Sequence, residues 1–197
     1  MVQQRQHGWP PALLEDLLSA FRQDCGNPLY EHQADLLDYC RRSANPIGRL
    51  LLHLCGVTHP AALARSDAIC TALQLINFWQ DIAGDLRQRN RIYLPQDELQ
   101  RFGVSEAQLH AADCSGGFRA LMAFQLERSR QMMLAGAPLA SELPGRIGLE
   151  IRSVVQGGLR ILEKIEQVDH DIFRHRPVLT ALDWPLLLWR ALRMGRE

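Results

Sequence analysis

Apolar residues recur with helical spacing along most of the chain. A first helix is predicted from Pro10-Pro11, where proline suits the opening turn, to about Cys25. A second is predicted over residues 33–54, kinked at Pro46. Further helices are predicted over about residues 61–86, after Pro95, after Ser105, from Phe118 after an interruption at Gly116-Gly117 to about Gly136, from Pro144 to about Arg174, and from Asp183 onward. No segment alternates with period two, so the pattern predicts an all-α protein.

The predicted helix over residues 61–86 carries a narrow polar stripe. At about 100° per residue, four polar side chains fall within about 80° of one another: Gln74, Asn77, Asp81 and Asp85. Two carboxylates at i and i+4 suit magnesium, which prefers oxygen ligands and usually shares one or two carboxylates with a substrate phosphate. Arg87, Arg89 and Arg91 follow directly. The stripe predicts a metal–phosphate site, while a solvated acidic face paired with these arginines remains an alternative.

Composition narrows the class of protein. With 197 residues, 47% of them hydrophobic, and a formal net charge of zero, we expect one domain over residues 1–197 and no nucleic-acid partner. The five cysteines form no C-x-x-C pair, which argues against a zinc site or a disulfide framework. The longest apolar runs are too short to cross a bilayer. We expect a cytoplasmic protein whose last helix closes the core, with docking of Trp184 and Trp189 on a membrane surface as the alternative.

Three segments together resemble one enzyme family. The run QLINFWQDIAGDLRQRNRIYLP, residues 74–95, resembles the second aspartate-rich motif of the squalene and phytoene synthases, and LLDYCRRSANPIG, residues 36–48, resembles their Tyr-Cys segment. NFWQD and GGLRILEKIEQVDHDIFRHRP, residues 157–177, are most similar to the bacterial hydroxysqualene synthases of hopanoid synthesis. The resemblance covers about residues 17–192. It implies an isoprenoid-synthase-type helical bundle, a prenyl diphosphate substrate (presqualene or farnesyl diphosphate) and Mg²⁺.

The resemblance also implies roles for the polar stripe. Asp81 and Asp85 are expected to hold magnesium ions that bridge to the diphosphate, and Asn77 and Gln74 to order metal-bound water or substrate. Asn77 is also a candidate metal ligand. Gln80 stands where many relatives carry arginine, a substitution usual in the hydroxysqualene branch. It favours capture of the cation by water over hydride transfer, so NADPH is not expected.

Further residues match the family outside the stripe. Arg91 and Tyr93 match an R-x-Y sequence and are expected to contact the diphosphate. Tyr39 matches the tyrosine beside the reacting carbons, where it would stabilise cations or assist proton transfer. Ser43 and Ala44 are expected to line the channel for the isoprenoid chains.

The family places a first aspartate-rich motif well upstream of the Tyr-Cys segment. Only 38 residues precede Tyr39, and no D-x-x-x-D occurs among them. We therefore expect a chain that lacks the N-terminal helices of the family, associates with itself or with another chain, and has little or no turnover. Two alternatives remain: a non-catalytic binding or assembly protein with this fold, or a subunit whose partner supplies the first motif.

Overall fold

The computed structural model describes residue 8 and residues 10–194. Within this part of the chain the secondary structure is helical and contains no strand, which confirms the all-α prediction. A 3₁₀ turn, Ala181–Asp183, precedes the last helix. The α-helices are α1 Pro11–Cys25, α2 Gln33–Ser43, α3 Asn45–Leu54, α4 Pro60–Arg89, α5 Gln96–Arg101, α6 Glu106–His110, α7 Gly117–Gly136, α8 Leu139–Glu142, α9 Gly145–Gln167 and α10 Trp184–Arg193.

Helix α4 is the central element of the bundle, with α2, α3, α7 and α9 packed around it. Its apolar side is buried through Leu75, Ile76, Trp79, Ile82 and Leu86. Trp79 is fully buried, and its indole N–H donates to the Ser129 hydroxyl of α7 at 2.9 Å, which satisfies the one polar atom of that side chain. This packing fixes the direction in which the opposite, polar side of α4 faces.

The segment over residues 33–54 forms two helices, so the prediction of one kinked helix was wrong. Ala44 separates α2 from α3 with φ −114° and ψ −47°. Pro46 then lies in the first turn of α3, where the missing N–H of proline leaves no hydrogen bond unmade. Gly48 follows on the side that meets α4: a Cβ there would lie 2.4 Å from the Ser66 hydroxyl and 2.6 Å from the Cys70 sulfur. Helix α4 therefore packs directly against α3 at this glycine.

The long helix predicted to run to about Arg174 ends at Gln167. Asp169 and His170 adopt φ values of 52° and 63°, in the left-handed region, and turn the chain away from the helix axis. Ile172 nevertheless remains buried. Helical spacing of apolar residues continued past the end of α9 because the chain that follows packs back onto the same core.

The last helix packs on α9 as expected, but it buries only a narrow side of its surface. Leu187 and Ala191 are its buried residues, whereas Trp184 and Trp189 are each about half exposed, at 54% and 52%. The guanidinium of Arg193 lies 4.4 Å from the ring centroid of Trp189. Among the residues that the structure describes, no helix is both long enough and apolar enough to cross a membrane.

Candidate functional site

The predicted polar stripe lies on α4 as a single helical face. Asn77 is exposed, and Gln74, Asp81 and Asp85 are half-buried. Burial, together with the nearby charge of Asp81, raises the pKa of Asp85 above the usual aspartate range, while Arg89 and Arg91 act in the opposite direction. The two carboxylates are therefore close enough to repel each other. A divalent cation bound between them would relieve that repulsion.

One side of the stripe opens into a polar cleft, which we call the aspartate cleft. It has a volume of about 530 Å³ and lies between α4 and residues 172–176; its polar lining residues include Asp81, Asp85, Arg87, Arg89, Arg174 and Arg176. Arg176 binds Asp81 in a bidentate manner, with Nε 2.5 Å from Oδ1 and Nη2 3.2 Å from Oδ2. No local pattern in the sequence indicates this contact, because 95 positions separate the two residues.

Aromatic rings gather on another side of Asp85, in a group that we call the tyrosine cluster: Tyr30, Tyr39, Phe78 and Tyr93. The rings of Phe78 and Tyr93 stack with their centroids 3.7 Å apart, and the Tyr39 centroid lies 6.1 Å from that of Phe78 and 6.3 Å from that of Tyr93. Burial is the main reason that the pKa of Tyr39 is raised, with the charge of Asp24 next. Tyr39 is therefore neutral, and its hydroxyl keeps its proton.

Asp24, which the sequence analysis missed, joins Tyr39 to Arg91. Its carboxylate accepts a hydrogen bond from the Tyr39 hydroxyl at 3.0 Å, and its backbone carbonyl accepts one from Arg91 Nη2 at 2.6 Å. The Asn27 amide also donates to the Asn90 carbonyl at 3.0 Å, so the turn after α1 is tied to the segment after α4. Asp24 lies at the end of an ordinary amphipathic helix. Its spacing along the sequence shows nothing unusual, and its contacts with Tyr39 and Arg91 appear only in the folded structure.

Asp85 lies between the aspartate cleft and the tyrosine cluster. The charge of Arg91 opposes the rise in the pKa of Asp85, and burial raises the pKa of Tyr93, with a smaller contribution from the charge of Asp85. Arg91 Nη1 lies 3.4 Å from the Tyr93 hydroxyl. The structure thus brings Tyr39, Arg91 and Tyr93 together, whereas Asp81 faces the cleft on the other side.

An apolar pocket of about 410 Å³ adjoins the stripe between α4, α9 and α10. Asn77 and Gln80 contribute polar groups to its lining, and Gly157 and Gly158 of α9 are also lining residues. Gln80 also borders the aspartate cleft, and its buried amide donates to the Pro177 carbonyl. A hydrocarbon pocket therefore lies beside a charged cleft.

Ser43 and Ala44, predicted to line an isoprenoid channel, occupy the junction of α2 and α3, away from this apolar pocket. Both are half-buried there. Their assignment to a channel remains a prediction, as does the role of Gln74, which lies one turn before Asn77.

The donor set fits a magnesium ion that is shared with a ligand. Asp81 and Asp85 offer hard carboxylate oxygens from successive turns of one helix, and Asn77 offers an amide oxygen one turn earlier. The described part of the chain contains no group of three or more His, Cys, Asp or Glu side chains that would enclose a metal. Oxygens of a bound diphosphate and water would have to complete the coordination.

A family model described as squalene/phytoene synthase matches residues 2–183 of the chain. The chain belongs to the squalene/phytoene synthase family. Among curated relatives of this family member, the hydroxysqualene synthase of Rhodopseudomonas palustris is 34% identical over 165 residues, 83% of this chain and 56% of the relative. That of Sinorhizobium fredii is 32% identical over 193 residues, 98% of this chain and 64% of the relative.

A solved structure supports the same fold for this family member. The squalene synthase HpnC from Alicyclobacillus acidocaldarius superimposes with a TM-score of 0.80 at 34% identity, over 85% of this chain and 63% of that one. The bundle is therefore of the terpenoid-synthase type. The chain spans between half and two thirds of the length of these three relatives.

Proposed function

We propose that this protein processes a prenyl diphosphate in squalene and hopanoid synthesis, ionising presqualene diphosphate with the help of magnesium and capturing the cation with water to give hydroxysqualene. The observation that carries the proposal is the polar stripe of α4, which has a charged cleft on one side and an apolar pocket on the other. A ligand with a diphosphate head and a hydrocarbon tail matches that arrangement. Two relatives at 32–34% identity carry the name hydroxysqualene synthase.

In this proposal each side chain acts according to its surroundings. Asp81 and Asp85 would hold magnesium, with Asn77 as a further candidate ligand, and metal bound there would supply positive charge to offset that of the leaving diphosphate. Arg91 and Tyr93 supply donors to the diphosphate oxygens. The carbon–oxygen bond breaks with its electron pair leaving on the diphosphate, and a water molecule adds to the cation and loses a proton. No reductant is needed.

Tyr39 is proposed to face the developing cation. Its neutral ring belongs to the tyrosine cluster, and aromatic faces attract positive charge. Because its hydroxyl proton is directed to Asp24, the hydroxyl oxygen keeps a lone pair for a second donor. Gln80 is proposed to favour water as the partner of the cation.

A second candidate is a protein with this fold that has no turnover of its own, either a binding or assembly protein or a subunit completed by another chain. The supporting observation is an exposed apolar stripe on α3, formed by Ile47, Leu51 and Leu54, at 57%, 40% and 60% exposure. Such a surface favours association. Two carboxylates alone would also hold a metal diphosphate weakly.

The direct test is incubation of the protein with presqualene diphosphate and Mg²⁺, with hydroxysqualene measured by chromatography. We expect little or no turnover from the 197-residue chain, together with binding of presqualene diphosphate that requires Mg²⁺ and is lost in Asp81→Ala. Rapid turnover that disappears in Asp81→Ala would support the proposed reaction, but it would contradict the expectation that this chain turns over little or no substrate. Binding that is unchanged by Asp81→Ala would overturn the proposed site.

A further inference from the structure

Arg176 occupies both oxygens of the carboxylate that the proposed function assigns to magnesium. Its Nε and Nη2 atoms lie 2.5 and 3.2 Å from the two Asp81 oxygens. The pair is open to solvent, with 56% of the arginine side chain and 36% of the aspartate side chain exposed. Exposed ion pairs contribute little to folding stability. Stability alone therefore gives a weak reason for this contact.

The backbone that carries Arg176 is fixed on its C-terminal side. The buried Gln80 amide donates to the Pro177 carbonyl, and Lys164 Nζ donates to the Val178 carbonyl at 2.8 Å. On the N-terminal side, the Asp171 carboxylate accepts from the Arg174 backbone N–H at 3.2 Å. The guanidinium of Arg176 can change partner while its Cα stays at the edge of the aspartate cleft.

Two other arginines of the cleft, Arg174 and Arg89, pair within their own segment or helix. Arg174 lies 3.3 Å from Asp171 on its own segment, and Arg89 lies 3.9 Å from Asp85 on its own helix. Arg176 alone among these three reaches across the cleft from residues 172–176 to α4. Its contact with Asp81 therefore joins the two walls of the cleft.

A magnesium ion and a guanidinium compete for Asp81, because Arg176 already engages both carboxylate oxygens and two cations on one carboxylate repel each other. When a metal takes Asp81, Arg176 loses its partner at the place where the proposed function puts a diphosphate. The same planar guanidinium that forms two parallel hydrogen bonds to a carboxylate can form two to the oxygens of a phosphate.

We propose that Arg176 exchanges partners during ligand binding: it binds Asp81 in the free protein and the diphosphate once a divalent cation has taken Asp81. The proposal rests on the proposed function, because it assumes a metal diphosphate at Asp81 and Asp85. It makes Arg176 a competitor of the metal alone and a ligand of the metal diphosphate.

Two titrations separate these effects in the full chain. The first measures Mn²⁺ alone through the loss of the electron paramagnetic resonance signal of the free ion, since Mn²⁺ shares the oxygen preference of Mg²⁺. The second measures inorganic diphosphate in the presence of Mg²⁺ by calorimetry. Arg176→Gln is expected to tighten Mn²⁺ binding by up to about fivefold, as the competing pair is lost. It is expected to weaken diphosphate binding by about tenfold.

Two further variants serve as controls. Arg174→Gln removes the same charge from the same segment, but its guanidinium is paired with Asp171, so both affinities are expected to stay within about twofold of wild type. Arg176→Lys keeps the charge without the two parallel donors, and is expected to fall between wild type and Arg176→Gln for diphosphate.

Changes of opposite sign in the two titrations support the exchange of partners. Changes of the same sign, no change, or equal effects of Arg174→Gln would overturn it. Asp81→Asn distinguishes this failure from failure of the proposed function. Suppose that wild type and Arg176→Gln bind magnesium diphosphate equally well and Asp81→Asn does not bind it. Only the exchange of partners is then wrong. If Asp81→Asn binds as well as wild type, both the exchange and the proposed site are wrong.

Discussion

The tyrosine cluster and the aspartate cleft lie on two sides of Asp85, yet they are held in different ways. In the cluster, Tyr30 and Tyr39 are 2% and 5% exposed, and the Tyr39 hydroxyl is bonded to Asp24. In the cleft, the charged pair of Asp81 and Arg176 remains open to solvent. A buried hydrogen bond is costly to lose, whereas an exposed ion pair changes partner easily.

The cluster is held by the backbone as well as by side chains. The Gln96 and Asp97 N–H groups donate to the carbonyls of Tyr30 and Glu31, at 2.9 and 3.1 Å. These bonds join the segment after α4 to the turn before α2, and they set the position of Tyr93 against Tyr39. We infer that the cluster is formed before a ligand arrives, while the cleft is rearranged by it.

Replacing Asp24 should have the largest effect among the changes that test this difference. Asp24→Ala leaves the buried Tyr39 hydroxyl without its acceptor, and we expect a loss of about 1–3 kcal/mol in the free energy of unfolding. Arg176→Ala, on the cleft side, should cost only about 0–1 kcal/mol. Urea denaturation of both variants measures the contrast.

A neighbouring aspartate provides the control for that comparison. Asp16→Ala on the same helix removes an aspartate whose partner Arg41 lies 3.4 Å away and is half exposed, so it should behave like Arg176→Ala. Equal losses for Asp24→Ala and Asp16→Ala would show that the tyrosine cluster is no more tightly held than the surface.

Features that depend on neighbouring residues, such as helix faces, turns and helix starts, could be predicted from the sequence. The stripe containing Asp81 and Asp85 depends only on the pitch of one helix, and α4 extends from Pro60 to Arg89, close to the predicted residues 61–86. The interruption at Gly116-Gly117 and the helix start after Pro95 were also placed correctly. Glycine adopts positive φ without steric cost, as at Gly116 with φ 58°, and proline fixes its own φ. The family resemblance, which rested on local motifs, was confirmed by the match to residues 2–183.

Contacts between distant segments could not be predicted in this way. The bonds from Arg91 to Asp24 and from Arg176 to Asp81 join residues 67 and 95 positions apart. Both aspartates would look like ordinary surface residues if considered alone. The end of α9 was misplaced for a related reason: Ile172 is apolar because it packs on the core, although the chain there is no longer helical.

Asp183 anchors the chain that follows Arg176 through several hydrogen bonds. Replacing it should lower stability by an amount between the effects of Asp24→Ala and Arg89→Gln. The Asp183 side chain is 4% exposed and accepts from Lys164 Nζ at 2.5 Å, from the Thr180 N–H at 2.8 Å and from Arg160 Nε at 2.8 Å. These contacts, that of Lys164 first, hold the pKa of Asp183 well below its usual range. We expect Asp183→Asn to lower the melting temperature at pH 7.

The pH dependence of that loss follows from the direction of the shift. A depressed pKa in the folded protein gives stability that is complete above the unfolded value of about 3.9 and is lost as the pH falls towards the folded value. The difference between wild type and Asp183→Asn should therefore be constant from pH 7 to about 5 and shrink below about pH 4. Asp38→Asn, whose carboxylate is half exposed, should give a smaller difference. A difference for Asp183→Asn that grows on acidification would contradict the assignment.

The smallest effect is expected for Arg89→Gln. Comparison with Arg91→Gln tests whether diphosphate binding needs only positive charge near Asp85 or needs an arginine held in a fixed position. Arg89 is 61% exposed and lies 3.9 Å from Asp85 across one helical turn, so Arg89→Gln should cost no more than about 0.5 kcal/mol of stability. Arg91→Gln removes the same charge from a side chain that is 19% exposed and bonded to the Asp24 carbonyl. Calorimetry with magnesium diphosphate should show a change within about twofold for Arg89→Gln and a loss of about tenfold for Arg91→Gln. Similar losses for both would mean that the diphosphate responds to the summed charge of this region, and that the fixed position of Arg91 beside the tyrosine cluster has no separate role.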